Sequence, residues 1–470
     1  MEVSVISMES IKPLSLALAG GGEHEFKPFK LCLLDQLMVS THSPLVLFYP
    51  LKDVQDKGSV GKRLKASLSK TLNPFYPVAG RVKDNLVIHD FERGVSFAET
   101  QVKGHRLSDV LAASPRGGPK LGFLNNLLPF EPFCYQEDEA ASAQLSVQLN
   151  TFDCGGIAIG LAMYHKLMDG VTANTFLHAW AANCKGDSAA RLKLKQPELS
   201  KPSSVFPPSE SISRERLAFM KDVYFQSVHH HQQQQRKGAS RRFVFDKNAI
   251  ATLRTMARSS KVMDPTRLEA LSAFIWESAL KAVAAAQRPQ QQLQCFTQAV
   301  NIRTLMSPRL CRYSIGNLVA NTLVSCKDIP NKSMKELVGL IREGIVRIDE
   351  KYINTMSSTA KIEVQKVVGE VAQGGCGGQV LSCSSWVGFG VNDYDFGWGK
   401  PVWTGLFGDP SGNQAFLNNS IIFKNLTTTG HENFNAIEAW IRLDEDVMAL
   451  LEHDPHFTQY ASPNPPIILN

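Results

Sequence analysis

The chain has 470 residues, of which 43% are hydrophobic and 20% are charged, and its formal net charge is +6. This composition is typical of a globular protein, and the length favours two domains because single cores rarely grow beyond about 250–300 residues. The mild positive charge is too weak for a nucleic-acid-binding protein, so no nucleic-acid partner is expected. No apolar run reaches the roughly 18 residues that a membrane span requires, so no membrane partner is expected either.

Cysteine usage and the N-terminus predict a cytoplasmic location. The nine cysteines are scattered, odd in number and without a Cys-x-x-Cys pair. Such a pattern indicates reduced thiols better than a disulfide framework or a zinc site, and no metal site is expected. The segment MEVSVISMESIKP at residues 1–13 lacks a basic region followed by an apolar one, so it does not read as a signal peptide.

The first part of the chain predicts a mixture of helices and strands. Residues 59–75 carry apolar residues at helical spacing and end at a proline. Residues 142–152 and 156–165 predict two strands joined by a short turn, with His165 at the end of the second strand. Residues 171–184 predict the helix that follows.

A linker is predicted in the middle of the chain. Residues 195–240 begin with a stretch rich in proline and serine and end with the low-complexity tract SVHHHQQQQRKGAS at 227–240. This composition is more typical of a solvated, mobile connection than of a metal site formed by the histidines. The predicted organisation is therefore an N-terminal domain at 1–194, a linker at 195–240 and a C-terminal domain at 241–470.

The C-terminal part also mixes helices and strands. Residues 241–246, 296–303 and 379–389 predict strands, and residues 264–286 predict a long helix. Thr266 and Glu269, three residues apart at the start of that helix, have the spacing of a capping box. Mixed elements in both halves predict an α/β fold with two domains of similar size.

Several enzyme classes lack their motif in this chain. The sequence has no Gly-x-Ser-x-Gly elbow, no Walker A loop, no Gly-x-Gly-x-x-Gly fingerprint and no His-Glu-x-x-His. These absences argue against a serine hydrolase, a P-loop nucleotide hydrolase, a dinucleotide-dependent dehydrogenase and a zinc protease.

One histidine pattern occurs twice, and spacing alone does not choose between the two copies. The stretch GLAMYHKLMDG at 160–170 places Asp169 four residues after His165, and HRLSD repeats the spacing with His105 and Asp109. A second motif, DFGWG at 395–399, is very unlikely to arise by chance on average residue usage.

Together, YHKLMDG and DFGWGKP resemble motifs of the plant BAHD family of acyl-CoA-dependent acyltransferases. The likeness is greatest to its branch of vinorine synthase-like O-acetyltransferases. Other segments resemble the family in the same order along the chain: LLDQL (33–37), FYPVAGR (75–81), FDCGGIAIG (152–160), AVNIR (299–303), YSIGN (313–317), SSW (384–386) and EAWIRLDEDVMALLEHD (438–454).

The resemblance implies two chloramphenicol-acetyltransferase-like domains, each a mixed sheet with helices, and a channel between them. Acyl-CoA, acetyl-CoA above all, would enter from one face as a co-substrate, with no permanently bound cofactor. An acceptor hydroxyl of an alkaloid or terpenoid would enter from the other face. The resemblance selects His165 over His105 as the catalytic residue, and a monomer is expected.

A thioester is already activated, so the reaction requires a base rather than a covalent nucleophile. Neutral histidine suits this task because its ordinary pKa of about 6.5 lies near the working pH. Asp169 has two interpretations: it orients His165, as in a catalytic triad, or it pairs with Arg303 and fixes the turn that carries His165. The resemblance favours the ion pair.

The DFGWG motif and three residues of the C-terminal half have expected supporting roles. Asp395, Gly397, Trp398 and Gly399 are interpreted as a structural turn that shapes the CoA channel. The phosphates of CoA are expected near a helix N-terminus or basic side chains, and the candidates are Thr266, Arg267 and Arg241.

Two departures from the family pattern leave acyl and acceptor preference open. Tyr164 stands where the family often has a small serine, and VGFGVND at 387–393 differs from the usual sequence before DFGWG. Two other functions are kept as alternatives: an acyl-CoA hydrolase, and a non-catalytic relative that acts through protein interactions.

Overall fold

The computed structural model describes most of the chain. The described residues are 1–18, 26–51, 57–112, 121–136, 138–186, 196–211, 238–287, 295–306, 310–325, 332–356, 380–408, 419–427 and 435–467. The α-helices with both ends in these ranges are α1 (Leu14–Leu18), α2 (Leu33–Gln36), α3 (Val60–Leu72), α4 (Leu107–Leu111), α5 (Gly170–Lys185), α6 (Lys201–Val205), α7 (Lys247–Met256), α8 (Arg267–Ala285), α9 (Met334–Val346), α10 (Glu445–His453) and α11 (Pro455–Thr458).

The strands form three sheets. They are β1 (Glu2–Ile11), β2 (Phe29–Lys30), β3 (His42–Tyr49), β4 (Arg81–Lys83), β5 (Val87–His89), β6 (Val95–Lys103), β7 (Leu145–Phe152), β8 (Ile157–Tyr164), β9 (Gly238–Phe245), β10 (Cys295–Asn301), β11 (Val319–Asn321), β12 (Val324–Ser325), β13 (Val380–Ser385), β14 (Trp403–Gly405), β15 (Ser420–Asn425), β16 (Ile437–Asp444) and β17 (Ser462–Pro463).

The first large sheet has the order β1-β6-β7-β8-β3-β14 and holds the strand that leads to His165. Strand β8 is buried along its whole length, which explains its almost uninterrupted apolar sequence. Helices α3 and α5 pack against each other, and the indole nitrogen of Trp180 donates to Ser67 Oγ at 3.0 Å. The apolar stripe of α3, with Leu64 and Leu68, lies in the core as its spacing predicts.

The second large sheet has the order β11-β10-β13-β15-β16-β9-β17, with β12 paired to β10. Strands β10, β13 and β15 are parallel neighbours, so their carboxyl ends lie at one edge of the sheet. Helix α8 packs on α7, α9 and α10 and buries most of its residues. Its start is closed by the predicted capping box, in which Thr266 and Glu269 each accept the other's backbone amide.

One strand of the C-terminal part belongs to the first sheet. β14 pairs with β3, with Trp403 opposite Phe48, and the segment around it adds Tyr394, Phe396 and Phe407 to the first core. The α/β fold with two mixed sheets and helices is as predicted, but the range 241–470 does not fold as one uninterrupted unit. The remaining domain limits stay a prediction.

Two details differ from the sequence-based predictions, and one predicted segment lies largely outside the described residues. Strand β9 already begins at Gly238, so the predicted linker is too long at its C-terminal end. Residues 212–237, which include most of the tract at 227–240, lie outside the described residues. Cys295 is disulfide-bonded, so the expectation of reduced thiols is wrong at that position, whereas the other cysteines among the described residues form no disulfide. Among the described residues, no helix is both long enough and apolar enough to cross a membrane.

Candidate active site

A cavity of about 290 Å³ lies between the two large sheets, and His165 is part of its wall. The first sheet, its loops and the β14 segment contribute an apolar wall, formed by Met38, Val39, Pro44, Phe133, Met163, Leu406 and Phe407. The end of β13 contributes a serine wall, formed by Ser382, Ser384 and Ser385. The first turn of α5 also lines the cavity, with Gly170, Val171 and Ala173.

His165 follows the last residue of β8 and is held in a short turn before α5. Its backbone amide donates to the carbonyl of Thr41 at 2.9 Å, which extends the pairing of β8 with β3 by one step. The side chain is half-buried. The end of a strand therefore fixes the backbone while the ring reaches the cavity, as expected for a catalytic side chain placed on a rigid element.

Asn317 fixes the ring of His165. Its Oδ1 lies 3.1 Å from His165 Nδ1, while its Nδ2 donates to the carbonyl of His165 at 2.8 Å and to Asp35 Oδ1 at 2.9 Å. Both partners of Nδ2 only accept hydrogen bonds, so this nitrogen and Oδ1 cannot exchange places. Oδ1 accepts from Nδ1–H, and in the neutral ring this leaves Nε2 as the unprotonated nitrogen.

Asp35, in α2, is the buried anchor of Asn317. Its carboxylate accepts the backbone amides of Asn317 at 2.6 Å and Cys32 at 2.8 Å. Burial raises the pKa of Asp35, and the hydrogen bonds from Asn317 and Cys32 oppose that rise. Gly316 has φ +129°, a conformation that favours glycine, and this brings the loop close to Asp35.

The predicted pair of Asp169 and Arg303 is present and is buried. Arg303 Nη1 and Nη2 donate to the two carboxylate oxygens at 2.7 and 3.1 Å, and the two side chains are 2% and 0% exposed. Asp169 also caps α5 by accepting the amide of Thr172 at 2.8 Å, and it accepts the amide of Leu318 at 3.1 Å. The carboxylate is thus committed to Arg303 and two amides, whereas the ring of His165 bonds to Asn317.

Arg303 extends the same network into the loop that carries Asn317. Its Nη2 donates to the carbonyls of Ser314 and Gly316, both at 3.0 Å. Because Asp169 holds Leu318 on the other side, the loop at 314–318 is tied at both ends to the turn that carries His165. Asn317 ends the YSIGN segment and Asp35 lies in LLDQL, and neither segment by itself indicates the role of its residue.

The DFGWG turn lies outside the cavity wall and closes the opposite end of α5. Asp395 accepts the amides of Gly397 and Gly399 at 2.8 and 2.9 Å and pairs with Lys185 at 2.7 Å. Partial burial works to raise the pKa of Asp395, but Lys185 and the two amides hold it below its ordinary value. Gly397 and Gly399 have φ of +102° and +94°, so these positions favour glycine.

Trp398 packs inside this turn. Its ring stacks on Phe396 with centroids 5.8 Å apart, and the guanidinium of Arg63 lies 5.0 Å above it. Phe396 is fully buried in the first core. The motif therefore packs as a turn outside the cavity wall, and the support role of Asp395 and Trp398 stays a prediction.

The three candidate CoA contacts do not line the cavity. Thr266 uses its hydroxyl to cap α8, and Arg241 pairs with Glu452 at 2.6 Å. Arg267 lies 3.5 Å from Asn435 Oδ1. Contact of CoA with Thr266, Arg267 or Arg241 stays a prediction.

The two departures from the family pattern fall on different surfaces. Tyr164 is buried on the face of the sheet away from the cavity, beside His42, so it does not narrow the site. Phe389, in the segment at 387–393, does line the cavity.

His105, the alternative histidine, lies before α4 and is not part of the wall. In the described part of the chain, no cluster of three or more potential metal ligands occurs.

Comparisons with known proteins identify the family of the chain and its structural relatives. The model of the Transferase family matches residues 1–458. Akuammiline synthase 2 of Alstonia scholaris is 32% identical over 100% of this chain and 99% of its own length. Limonoid 7-O-acetyltransferase of Citrus sinensis is 30% identical over 99% of each chain. The crystal structure of vinorine synthase superposes with a TM-score of 0.72 at 27% identity, covering 96% of both chains.

Proposed function

Because the chain belongs to the Transferase family, the plant BAHD acyltransferases, and is an acyl-CoA-dependent O-acyltransferase, we propose that His165 is its general base. One observation carries the assignment. Asn317 accepts from Nδ1–H, so the unprotonated Nε2 of a ring that lines the cavity is left to accept a proton. A positioned base of this kind contributes about 10²–10⁴-fold to the rate.

The proposed reaction passes through a ternary complex. His165 Nε2 takes the proton of the acceptor hydroxyl as its oxygen attacks the thioester carbonyl. The tetrahedral intermediate then collapses with cleavage of the C–S bond, and the imidazolium returns the proton to the CoA thiolate. No covalent acyl-enzyme forms, because the thioester is already activated and His165 acts only on protons.

Asp169 and Arg303 act as positioning residues in this proposal. Their pair ties the turn of His165 to the loop of Asn317, so the base and the group that fixes its tautomer move together. Active-site groups need placement to within about 0.5 Å, and a buried bidentate pair provides such rigidity.

We propose acetyl as the acyl group and a hydroxyl of an alkaloid- or terpenoid-like plant metabolite as the acceptor. The relative from Citrus sinensis is named as an O-acetyltransferase of a limonoid, which supports both choices. The apolar wall supports a bulky, apolar acceptor because ligand sites bury such surfaces against apolar and aromatic side chains. A monomer in the cytoplasm, with no nucleic-acid or membrane partner, completes the proposal.

The proposal is tested by thiol release from acetyl-CoA in the presence and absence of a panel of plant alcohols. We expect release to depend on an alcohol, and His165→Ala to lower kcat by about 10²–10⁴-fold while the melting temperature stays that of the wild type. Wild-type turnover in a folded His165→Ala variant would refute the base assignment. Thiol release without any alcohol would favour the acyl-CoA hydrolase instead, and no release would favour a non-catalytic relative.

A further inference from the structure

Phe389 occupies a fixed position in the cavity wall, directly against the first residue of α5. A methyl group on Gly170 would lie 2.4 Å from Cε2 and 3.1 Å from Cζ of Phe389. Both distances are shorter than ordinary contacts between carbon atoms, so the ring rests on the backbone of α5 itself. The absence of a side chain at Gly170 is what makes room for the ring.

The loop around Phe389 holds the ring in place. Its amide donates to the carbonyl of Trp386 at 3.2 Å, and its carbonyl lies 3.3 Å from His178 Nε2. Gly388 and Gly390 on either side have φ of +89° and +67°, so two consecutive turns require glycine. The amide of Gly388 also donates to Asn425 Oδ1 at 2.9 Å, which ties the loop to β15.

The surroundings of Phe389 match the thioester better than the acceptor. The pantetheine arm of CoA carries amide groups, which need hydrogen-bond partners when they leave water. The serine wall lies just before Phe389 in the chain. Ser382 donates to the carbonyl of Asn419 and can still accept, and Ser385 accepts the amide of Val387 and can still donate. The apolar wall, with Phe133 and Phe407, offers a surface for an apolar acceptor instead.

We propose that Phe389 determines the length of acyl chain that the enzyme transfers. The ring lines the cavity and packs against the first residue of α5, and the proposal places the carbons beyond the acetyl methyl against it. The proposal rests on the proposed function, because it assumes that acyl-CoA is bound beside His165. Phe389 is thus a specificity-determining residue and takes no part in proton transfer.

The first test compares acetyl-CoA, butyryl-CoA and hexanoyl-CoA as donors for the wild type and Phe389→Ala. We expect the ratio of kcat/KM for hexanoyl-CoA to that for acetyl-CoA to rise by about 10–100-fold, since each carbon in an apolar pocket is worth on the order of tenfold or more. Phe133→Ala, on the apolar wall, is the matched control. It should raise KM for the acceptor and leave the acyl ratio unchanged.

The second test uses the contact with Gly170. Gly170→Ala should displace the ring in the wild-type background and lower kcat/KM for every donor. The backbone of Gly170 lies outside the left-handed region, so alanine meets the ring and no backbone strain. In the Phe389→Ala background the same change should therefore cost at most about a tenth of its effect in the wild type, a non-additivity expected for residues in contact.

The outcomes separate this proposal from the proposed function. An unchanged acyl ratio in Phe389→Ala, an equal rise in Phe133→Ala, or additive effects of the Gly170 and Phe389 changes would each overturn the role of Phe389 alone. Isothermal calorimetry with acetyl-CoA tests the proposed function itself. Wild type that binds no acetyl-CoA and transfers no acyl group would overturn the proposed function, and the role of Phe389 with it.

Discussion

The two ends of α5 are held by the same device at two levels of burial. Asp169 caps the first turn of the helix, and Asp395 pairs with Lys185 in its last turn. Each carboxylate has one cationic partner and accepts two backbone amides, those of Thr172 and Leu318 for Asp169 and those of Gly397 and Gly399 for Asp395. The two sequence motifs, far apart in the chain, thus fix one helix between them.

The two ion pairs differ in how far they are buried. Asp169 and Arg303 are 2% and 0% exposed, whereas Asp395 and Lys185 are 25% and 44% exposed. A charge left without its partner in the interior cannot recover its hydration, but one at the surface can. The same hydrogen-bond pattern therefore makes a rigid element at the cavity but stabilises the surface turn only modestly.

The buried pair gives the largest expected effect. Asp169→Ala or Arg303→Ala should each lower the free energy of unfolding by about 3–5 kcal/mol, because the remaining charge stays buried and unpaired. The double variant should lose less than the sum of the two. Urea denaturation followed by circular dichroism measures all three, with Lys103→Ala, from the exposed pair with Glu2, as the control that should not change the midpoint.

Activity data then distinguish the two interpretations of Asp169. We expect turnover to fall in step with the folded fraction or with loosening of the turn. A variant at Asp169 that melts like the wild type yet has lost turnover would instead give Asp169 a direct role in orienting His165.

Asn317→Ala probes the link between the buried network and the base. Removing the acceptor of Nδ1–H frees the ring and its tautomer, and we expect kcat to fall by about 10–100-fold with little change in KM for acetyl-CoA. A purely structural Asn317 would lower the melting temperature and leave kcat of the folded protein unchanged.

At the surface, Asp395→Asn should cost about 1–2 kcal/mol, since two amides keep a weaker acceptor. The pKa of the folded Asp395 lies below its ordinary value of 3.8, so its stabilisation is fully present above that value and is lost as pH falls through the folded pKa. Urea midpoints of wild type and variant should therefore converge at the acid end. A difference that stays constant across this range would contradict the role of the ionised carboxylate.

Lys185→Ala should have the smallest effect, at most about 1 kcal/mol, because the ion pair is exposed. High salt should remove even this difference, since screening weakens surface charges first. A loss that persists at 1 M salt would show that Lys185 contributes more than its charge, for example by packing of its methylene groups.

Local patterns carried much of the fold and part of the site. Apolar spacing placed α3, α5 and α8, and the Thr266 capping box placed the start of α8. Strand alternation also separates Tyr164 from the cavity: it directs Met163 and His165, the residue after β8, to one face of the sheet and Tyr164 to the other. This local rule removes Tyr164 from the residues that shape the cavity.

Long-range contacts could not be read in the same way. Asn317 reaches Asp35 across a sequence separation of 282 residues, and β14 leaves its own half of the chain to pair with β3. Neither contact can be predicted from apolar periodicity or helix-capping patterns, because both depend on which surfaces the whole chain brings together. The predicted CoA contacts at Thr266, Arg267 and Arg241 relied on helix ends and charge alone, which do not fix a position relative to the cavity.

Local spacing and family motifs are properties of short segments, and they were sufficient to predict the mixed α/β class, His165 at the end of a strand, and Asp169, Arg303 and DFGWG as candidate supporting groups. What each of these groups contacts is set by the fold of the whole chain. It paired His165 with Asn317, committed Asp169 to Arg303, and pressed Phe389 against Gly170. These outcomes follow from burial and close packing between distant segments, which no short stretch of sequence specifies.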